Sequence, residues 1–441
     1  MEDFCIIGDE KKVFFKYLIP SMLSLLAVSA YSFVDTFVVG QANGAQAVAA
    51  MGVGTPMVSV LFALGFLCGS GGAINYAVAK SSGNREKARS IFAVSFYTAL
   101  VLWLIIGICG NIWMSQLADF LGATSGNKEM AVEYLGWIVS LSGFLIMDIV
   151  LNNFMRNEGH PNVSMAATVT GTGLNIVLDF LFVMGFHWGM SGAAAATCLA
   201  SIISVGINFS YAILKKTNLL PVIHLHDFGY FWPMVKVGLG SFVLEGSVAV
   251  ITVVFLNFAG ARYGDAGVSA FSILITLNLV CYSLLNGAAQ AIQPLISANF
   301  GAGRPDRIRK FLKYGLLTSA TLGIVFTLLG EIFTDFFCRM FVNDSLETLN
   351  LASYGLRFYA CSFFFMAISI PLGIYYQSIT NPVKSLIILL GRSLALPVVF
   401  VYILSIFCNG IHIWISVPLG ELAAMLLALV IYQNDRKRFC R

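Results

Sequence analysis

Val13-Phe-Phe-Lys-Tyr-Leu-Ile-Pro20-Ser-Met-Leu-Ser-Leu-Leu-Ala-Val-Ser-Ala-Tyr-Ser-Phe-Val-Asp35-Thr-Phe-Val-Val39 is an apolar run broken by one base, one proline and one acid. A membrane-crossing helix needs roughly 20 mostly apolar residues, and this run suffices. It is too long for the core of a signal peptide, and no small-residue cleavage site follows it. Eleven further runs of similar length continue along the chain. Together they place helices near 13–38, 47–79, 91–117, 132–155, 161–186 and 190–214, then near 231–259, 267–299, 309–332, 350–378, 383–407 and 411–433. Composition agrees. Of 441 residues, 58% are hydrophobic and 11% charged, whereas soluble domains carry about 25% charged residues. Too few polar residues remain to cover a soluble surface of this size.

The most polar interior stretch, Lys215–Phe231, divides the twelve runs into six and six. It gives an N-terminal lobe over 1–218, a linker over 219–230 and a C-terminal lobe over 231–441. With the N-terminus inside, inner segments hold 22 of the 26 Lys and Arg residues, leaving Lys128, Arg262, Arg339 and Arg357 outside. Positive loops stay on the cytoplasmic side, so both termini are expected there, in a plasma (inner) membrane protein. The halves also repeat. Gly44-Ala-Gln-Ala-Val48 resembles Gly264-Asp-Ala-Gly-Val268 at a shift of 220, and His160-Pro161-Asn162 resembles Asn381-Pro382-Val383 at 221. Six helices per repeat preserve orientation. The expected fold is therefore all-α, with two six-helix lobes related by a pseudo-twofold along the membrane normal, a plan used by alternating-access transporters.

Several absences narrow the function. No GxxxxGK[ST] sequence is present, so no phosphate-cradling loop is expected, nor an ATPase subunit, an enzyme activity, a cofactor or a nucleic-acid partner. The nine cysteines are scattered without CxxC spacing, which suggests neither a disulfide framework nor zinc. His224-x-His226 is a weak metal pattern in a polar linker and reads as a solvated loop. Gly65-x-x-x-Gly69 permits close helix approach and reads as packing.

Charged residues inside spans cost about 2.5–3.5 kcal/mol at the bilayer centre, so they normally face a cavity or a partner. Asp35, Asp148, Asp179, Glu245 and Glu421 qualify, with Arg392 as the single base. A cavity lined by carboxylates attracts cations. Asn175 and Asp179 lie four apart on one helix face. Their oxygens suit Na⁺, or a carboxyl that gains and loses a proton; a helix–helix hydrogen bond is the structural alternative. Asp35 shares its helix with Pro20, which removes a backbone hydrogen bond and favours a kink; its alternative is a cap at the outer helix end. Asp148 is near enough to the inner loop to reach water, and Glu421 can pair with Arg392. The repeat takes Asp35 to Phe255 and Asp179 to Phe400, so the acids are not duplicated. One ion site is expected, in the N-terminal lobe.

The stretches Val34-Asp35-Thr36-Phe37-Val38-Val39-Gly40, Arg156-Asn157-Glu158-Gly159-His160-Pro161, Asn175-Ile-Val-Leu-Asp179 and Gly192-Ala-Ala-Ala-Ala-Thr197, in this order and spacing, resemble the multidrug and toxic compound extrusion (MATE) transporters. The branch most similar is the DNA-damage-inducible F and staphylococcal type. The resemblance implies a twelve-helix exporter of cationic and polyaromatic compounds driven by H⁺ or Na⁺. It implies a cation site at Asp35, Asn175, Asp179 and Thr197, which is also where any Na⁺ would be held, with Tyr134 and Asn152 beside it. Pro20 matches the family's bending proline, and Glu245 a coupling glutamate; Asp148, Glu421 and Arg392, from the residue reading alone, are candidates for the coupling machinery or the substrate cavity, with the structural alternatives above. A branch with a second sodium site carries an acid in its tenth helix, and here 350–378 has none. The expected activity is export of organic cations by a monomer embedded in lipid. The alternative is a lipid-linked precursor flippase of the same superfamily, which should carry several intramembrane bases.

Overall fold

The computed structural model describes residues 4–124, 126–220, 225–341, 346–407 and 412–439. His224 and the side chains of His226, Asp227, Arg436, Lys437 and Arg438 lie outside the described residues, as does Arg441.

Among the described residues there is no strand. Eleven helices are long and apolar enough to cross a membrane, and one bent pair, α4, makes twelve when counted as a single span; in order they are α1 (Glu10–Gly44), α2 (Gln46–Ser81), α3 (Arg85–Ile112), α4 (Lys128–Ser140 with Ser142–Glu158), α5 (Pro161–Gly185), α6 (Gly189–Leu214), α7 (Phe228–Gly264), α8 (Ala266–Gly301), α9 (Pro305–Ile332), α10 (Leu346–Ser378), α11 (Pro382–Phe407) and α12 (Ile413–Asp435). Their apolar composition leaves large side chains such as Phe37, Leu104, Ile108 and Val177 exposed. In water these would be a liability; in lipid they are the expected outer surface.

Three features depart from the sequence reading. First, α1 and α2 meet without a loop. Gly44 is the single non-helical residue between them, at φ 76°, ψ −173°, a conformation that glycine adopts at little cost. Gly264 does the same between α7 and α8, at φ 57°, 220 residues on. Because α1 runs to Gly44, Asp35 sits more than two turns inside the helix and does not cap its end. Second, α4 is bent by 50° between Ser140 and Ser142. Trp103 on α3 explains the bend: its indole N–H donates to the Ser140 carbonyl at 2.9 Å, and its ring fills the space that a Cβ at Gly143 would need, 2.3 Å away. Third, α10 begins at Leu346 and so carries Glu347, although this acid is exposed in the first turn.

Packing divides the chain into two compact units. One comprises Met1–Glu245 with Ser297–Arg304, the other Gly246–Ile296 with Pro305–Arg441. The division falls inside α7 and α8, so each of these helices serves both units. In the first unit α2 lies against α4 at Gly65 and Gly69, where a Cβ would come within 2.9–3.1 Å of Ile149 and Val150. Tyr76, Phe92 and Phe154 pack edge to face in its core, with centroids 5.4 and 4.9 Å apart. In the second unit Phe255 stacks on Phe271 at 5.3 Å. Phe255 occupies the place that Asp35 holds in the first repeat, and it is fully buried.

Candidate ion-coupling site

The site is assembled from α1, α5 and α6 of the first unit. Pro161 opens α5 at its first position, where its missing N–H is not needed and its fixed φ suits a helix. The helix then runs as α-helix to Asp179 and continues as a π-helical turn over Phe180–Gly185. Asp179 therefore marks the change of helical pitch, a place where functional groups often sit. Opposite it, α6 presents Gly192 through Thr197, all small and all buried, which allows α5 and α6 to approach closely.

Asn175 joins the two helices. Its Nδ2 donates to Asp179 Oδ2 at 3.2 Å, while its Oδ1 accepts from the Thr197 backbone N–H at 3.0 Å and from the Thr197 hydroxyl at 3.2 Å. Asp179 is wholly buried and Asp35 only 3% exposed. Oδ1 of each carboxyl has no hydrogen-bond partner in the protein. Their charges lie close enough to interact, and Tyr31 and Tyr134 share their surroundings. A buried polar atom without a partner is costly, so two of them on neighbouring carboxyls mark a place for a proton or a small cation. The residues fit either ion: carboxylate, amide and hydroxyl oxygens are hard ligands, and two adjacent acids favour holding at least one positive charge between them. One turn of α1 earlier in the chain than Ser24, Pro20 interrupts the helical ladder; Ser24 Oγ donates to its carbonyl at 2.8 Å.

Asn152 belongs to a second cluster. Its Nδ2 donates to Asp148 Oδ1 at 2.7 Å, and its Oδ1 accepts from Ser164 at 2.9 Å and Asn208 at 3.1 Å. Ser204 also donates to Asp148. Tyr31, Ser164, Ser204 and Asn208 were not singled out by the sequence reading. A signal existed for the last two, because Thr197, Ser201, Ser204 and Asn208 recur at helical spacing along one face of a largely apolar α6.

The remaining charged candidates separate. Arg392 and Glu421 form a buried ion pair in the second unit, with Nη2 to Oε1 at 2.6 Å and Nε to Oε2 at 3.2 Å. Ser369 on α10 donates to the same carboxylate at 3.3 Å. Arg392 sits in a π-helical turn over Gly391–Ala395, so both units place a buried charge at such a turn. Glu245 is the last residue of the first unit's main segment and is half-buried on α7.

This fold and this site define a multi-pass helical membrane transporter rather than an enzyme. The chain belongs to the MatE family: the family model matches residues 20–181 and again 241–403, once in each half. It is similar to the multidrug export protein MepA of Staphylococcus aureus, 22% identical over 98% of this chain and 96% of that protein. The protein of the same name from Staphylococcus haemolyticus is 25% identical over 70% of this chain and 69% of its own length. Among solved structures, a MATE transporter in complex with MaL6 superposes with a TM-score of 0.91, at 23% identity over 98% of this chain and 97% of that one. A MOP superfamily transporter from Pyrococcus furiosus gives 0.90, at 24% identity over 99% and 98%. These structures establish the fold.

Proposed function

We propose that this transporter is a cation-coupled antiporter that exports organic, often cationic, compounds by alternating access. The observation that carries the proposal is the Asp35–Asp179 pair, buried, mutually interacting and each with a carboxyl oxygen lacking a protein partner. In the cycle, H⁺ or Na⁺ enters this pair from outside. Neutralising the pair removes its attraction for a cationic substrate and changes the packing of α1 around Pro20. Substrate leaves outward, the first-repeat lobe (1–218) and the second-repeat lobe (231–441) rearrange, and the cation is released to the cytoplasm. Export by the similar staphylococcal multidrug proteins supports the substrate class. The proposal places the protein in the plasma membrane as a monomer with both termini cytoplasmic. The flippase alternative needs intramembrane bases for anionic headgroups, and the buried Arg392 is already neutralised by Glu421.

The test is efflux of ethidium from proteoliposomes under a pH gradient or a sodium gradient imposed separately. One gradient should drive wild type, and Asp35→Asn and Asp179→Asn should insert normally yet fail to pump. Normal pumping by both variants would remove the coupling site from this place.

A further inference from the structure

The polar residues of the first unit do not end at the ion pair. Ordered along α5 and α6, they descend toward the end of the unit where His160 lies. Asn175 and Thr197 come first, then Asp148 with Ser204, then Asn152 with Ser164 and Asn208. His160 is one turn from Ser164 on α5, and Tyr211 is one turn from Asn208 on α6; their side chains meet at 3.3 Å. Two features distinguish the row from a simple helix tie. Asn208 is fully buried and donates its Nδ2 to Asn152, yet its Oδ1 has no partner. Asp148, unlike Asp179, is only partly buried as a residue.

We infer that Asp148 is a proton station on an inward release route that runs through the interior of the first unit, from the Asp35–Asp179 pair past Asp148 and Asn152 to His160. The inference rests on the coupling reading above, taken in its proton form. A proton leaves a carboxyl of the outer pair as that group becomes a carboxylate; the Asp148 carboxylate accepts it, with water carrying it across the intervening turn. Ser204 and the Asn152 amide donate to the ionised Asp148. Asp148 then returns to carboxylate as water carries the proton past Asn152 to the His160 imidazole, which yields it to the inner solution. The titratable groups around Asp148 are consistent with a one-way descent. Tyr31 on α1 lies within electrostatic reach of Asp148, Asp35 and Asp179 together. Arg156, two turns beyond Asp148 on α4, is turned onto Asn153 at 2.9 Å. From α2, Gly65 and Gly69 lie against Ile149 and Val150 of α4, and Tyr76 and Lys80 reach Glu158 at its end.

Two readouts test this in the intact protein. One is displacement of pre-bound ethidium by acidification in detergent, which reports proton uptake by the outer pair. The other is proton flux and export in proteoliposomes with an entrapped pH dye. Asp148→Asn should displace ethidium at the wild-type midpoint but lose flux and export by about 100-fold, the scale on which a positioned proton-transfer group acts, and Asp148→Glu should restore them. Should Asp148→Asn insert poorly, Ser204→Ala combined with Asn208→Leu should give the same split. Wild-type flux in these variants, or a loss of thermal stability alone, would overturn the route while leaving the outer site intact. Wild-type displacement by Asp35→Asn and Asp179→Asn, or pumping driven only by sodium, would instead bring down the reading on which the route depends.

Discussion

Arg392 is the residue whose loss should be felt most in the second unit. Its guanidinium and the Glu421 carboxylate are 4% and 3% exposed and joined by two hydrogen bonds. Removing one partner of a buried pair leaves the other charge stranded, at about 3–5 kcal/mol, whereas replacing both with apolar residues of similar volume is often neutral. Glu421→Ala should therefore lower the melting temperature of the detergent-solubilised protein sharply, and Arg392→Met with Glu421→Leu should recover most of the loss. If the double variant is stable but cannot export, the pair serves transport as well as packing. At this scale the sequence was informative about which charges are buried, because an acid within an apolar run has few places to go. It offered the Arg392–Glu421 pairing across 29 positions, but not the other partners: Asn152, expected beside the cation site, turns to Asp148. Such pairings are set by helix rotation and depth, which an apolar run does not encode.

At the scale of elements, span count and order were legible because the runs are long, and the Gly65–Gly69 packing face because small residues stand four apart. The bend in α4 and the two π-helical turns were not, since each depends on contacts made elsewhere. Gly143 is tolerable only because Trp103 occupies its side-chain space. Gly143→Leu should displace the indole, release the Ser140 carbonyl and destabilise the protein by about 1–3 kcal/mol, as overpacking generally does, with unfolding followed by tryptophan fluorescence. A smaller change should go the other way. Thr380 precedes α11 at φ 54°, in the position where the first repeat has Gly159 at φ 108°. A β-branched residue is strained there, so Thr380→Gly should raise stability by about 1 kcal/mol in a thermal melt.

For the whole molecule, the repeat in sequence and the division in packing are not the same. The segments 231–245 and 297–304 come from the second repeat but belong to the first compact unit. A separately expressed 231–441 half should therefore insert but aggregate on extraction. Co-expression with 1–218 should restore a monodisperse species on size-exclusion chromatography. A monodisperse second half on its own would show that packing of these segments with residues of the first repeat is not needed for its integrity. The chemistry is just as uneven: the first repeat buries Asp35 where the second stacks Phe255 on Phe271, so the duplicated scaffold keeps its shape while only one copy keeps the carboxyl.

The hairpins at Gly44 and Gly264 bear on how force travels. Each limb has 35–37 residues, about 50 Å of helix, well beyond the roughly 30 Å hydrocarbon layer. With one glycine as the corner and no slack between limbs, a hairpin is a long-armed lever. A tilt of about 10° at one end of such a helix sweeps its far end through about 9 Å. Sub-ångström repacking around a buried carboxyl on α1 thus has a built-in amplifier, and a single flexible residue inserted beside Gly44 would let the arm swing without moving anything.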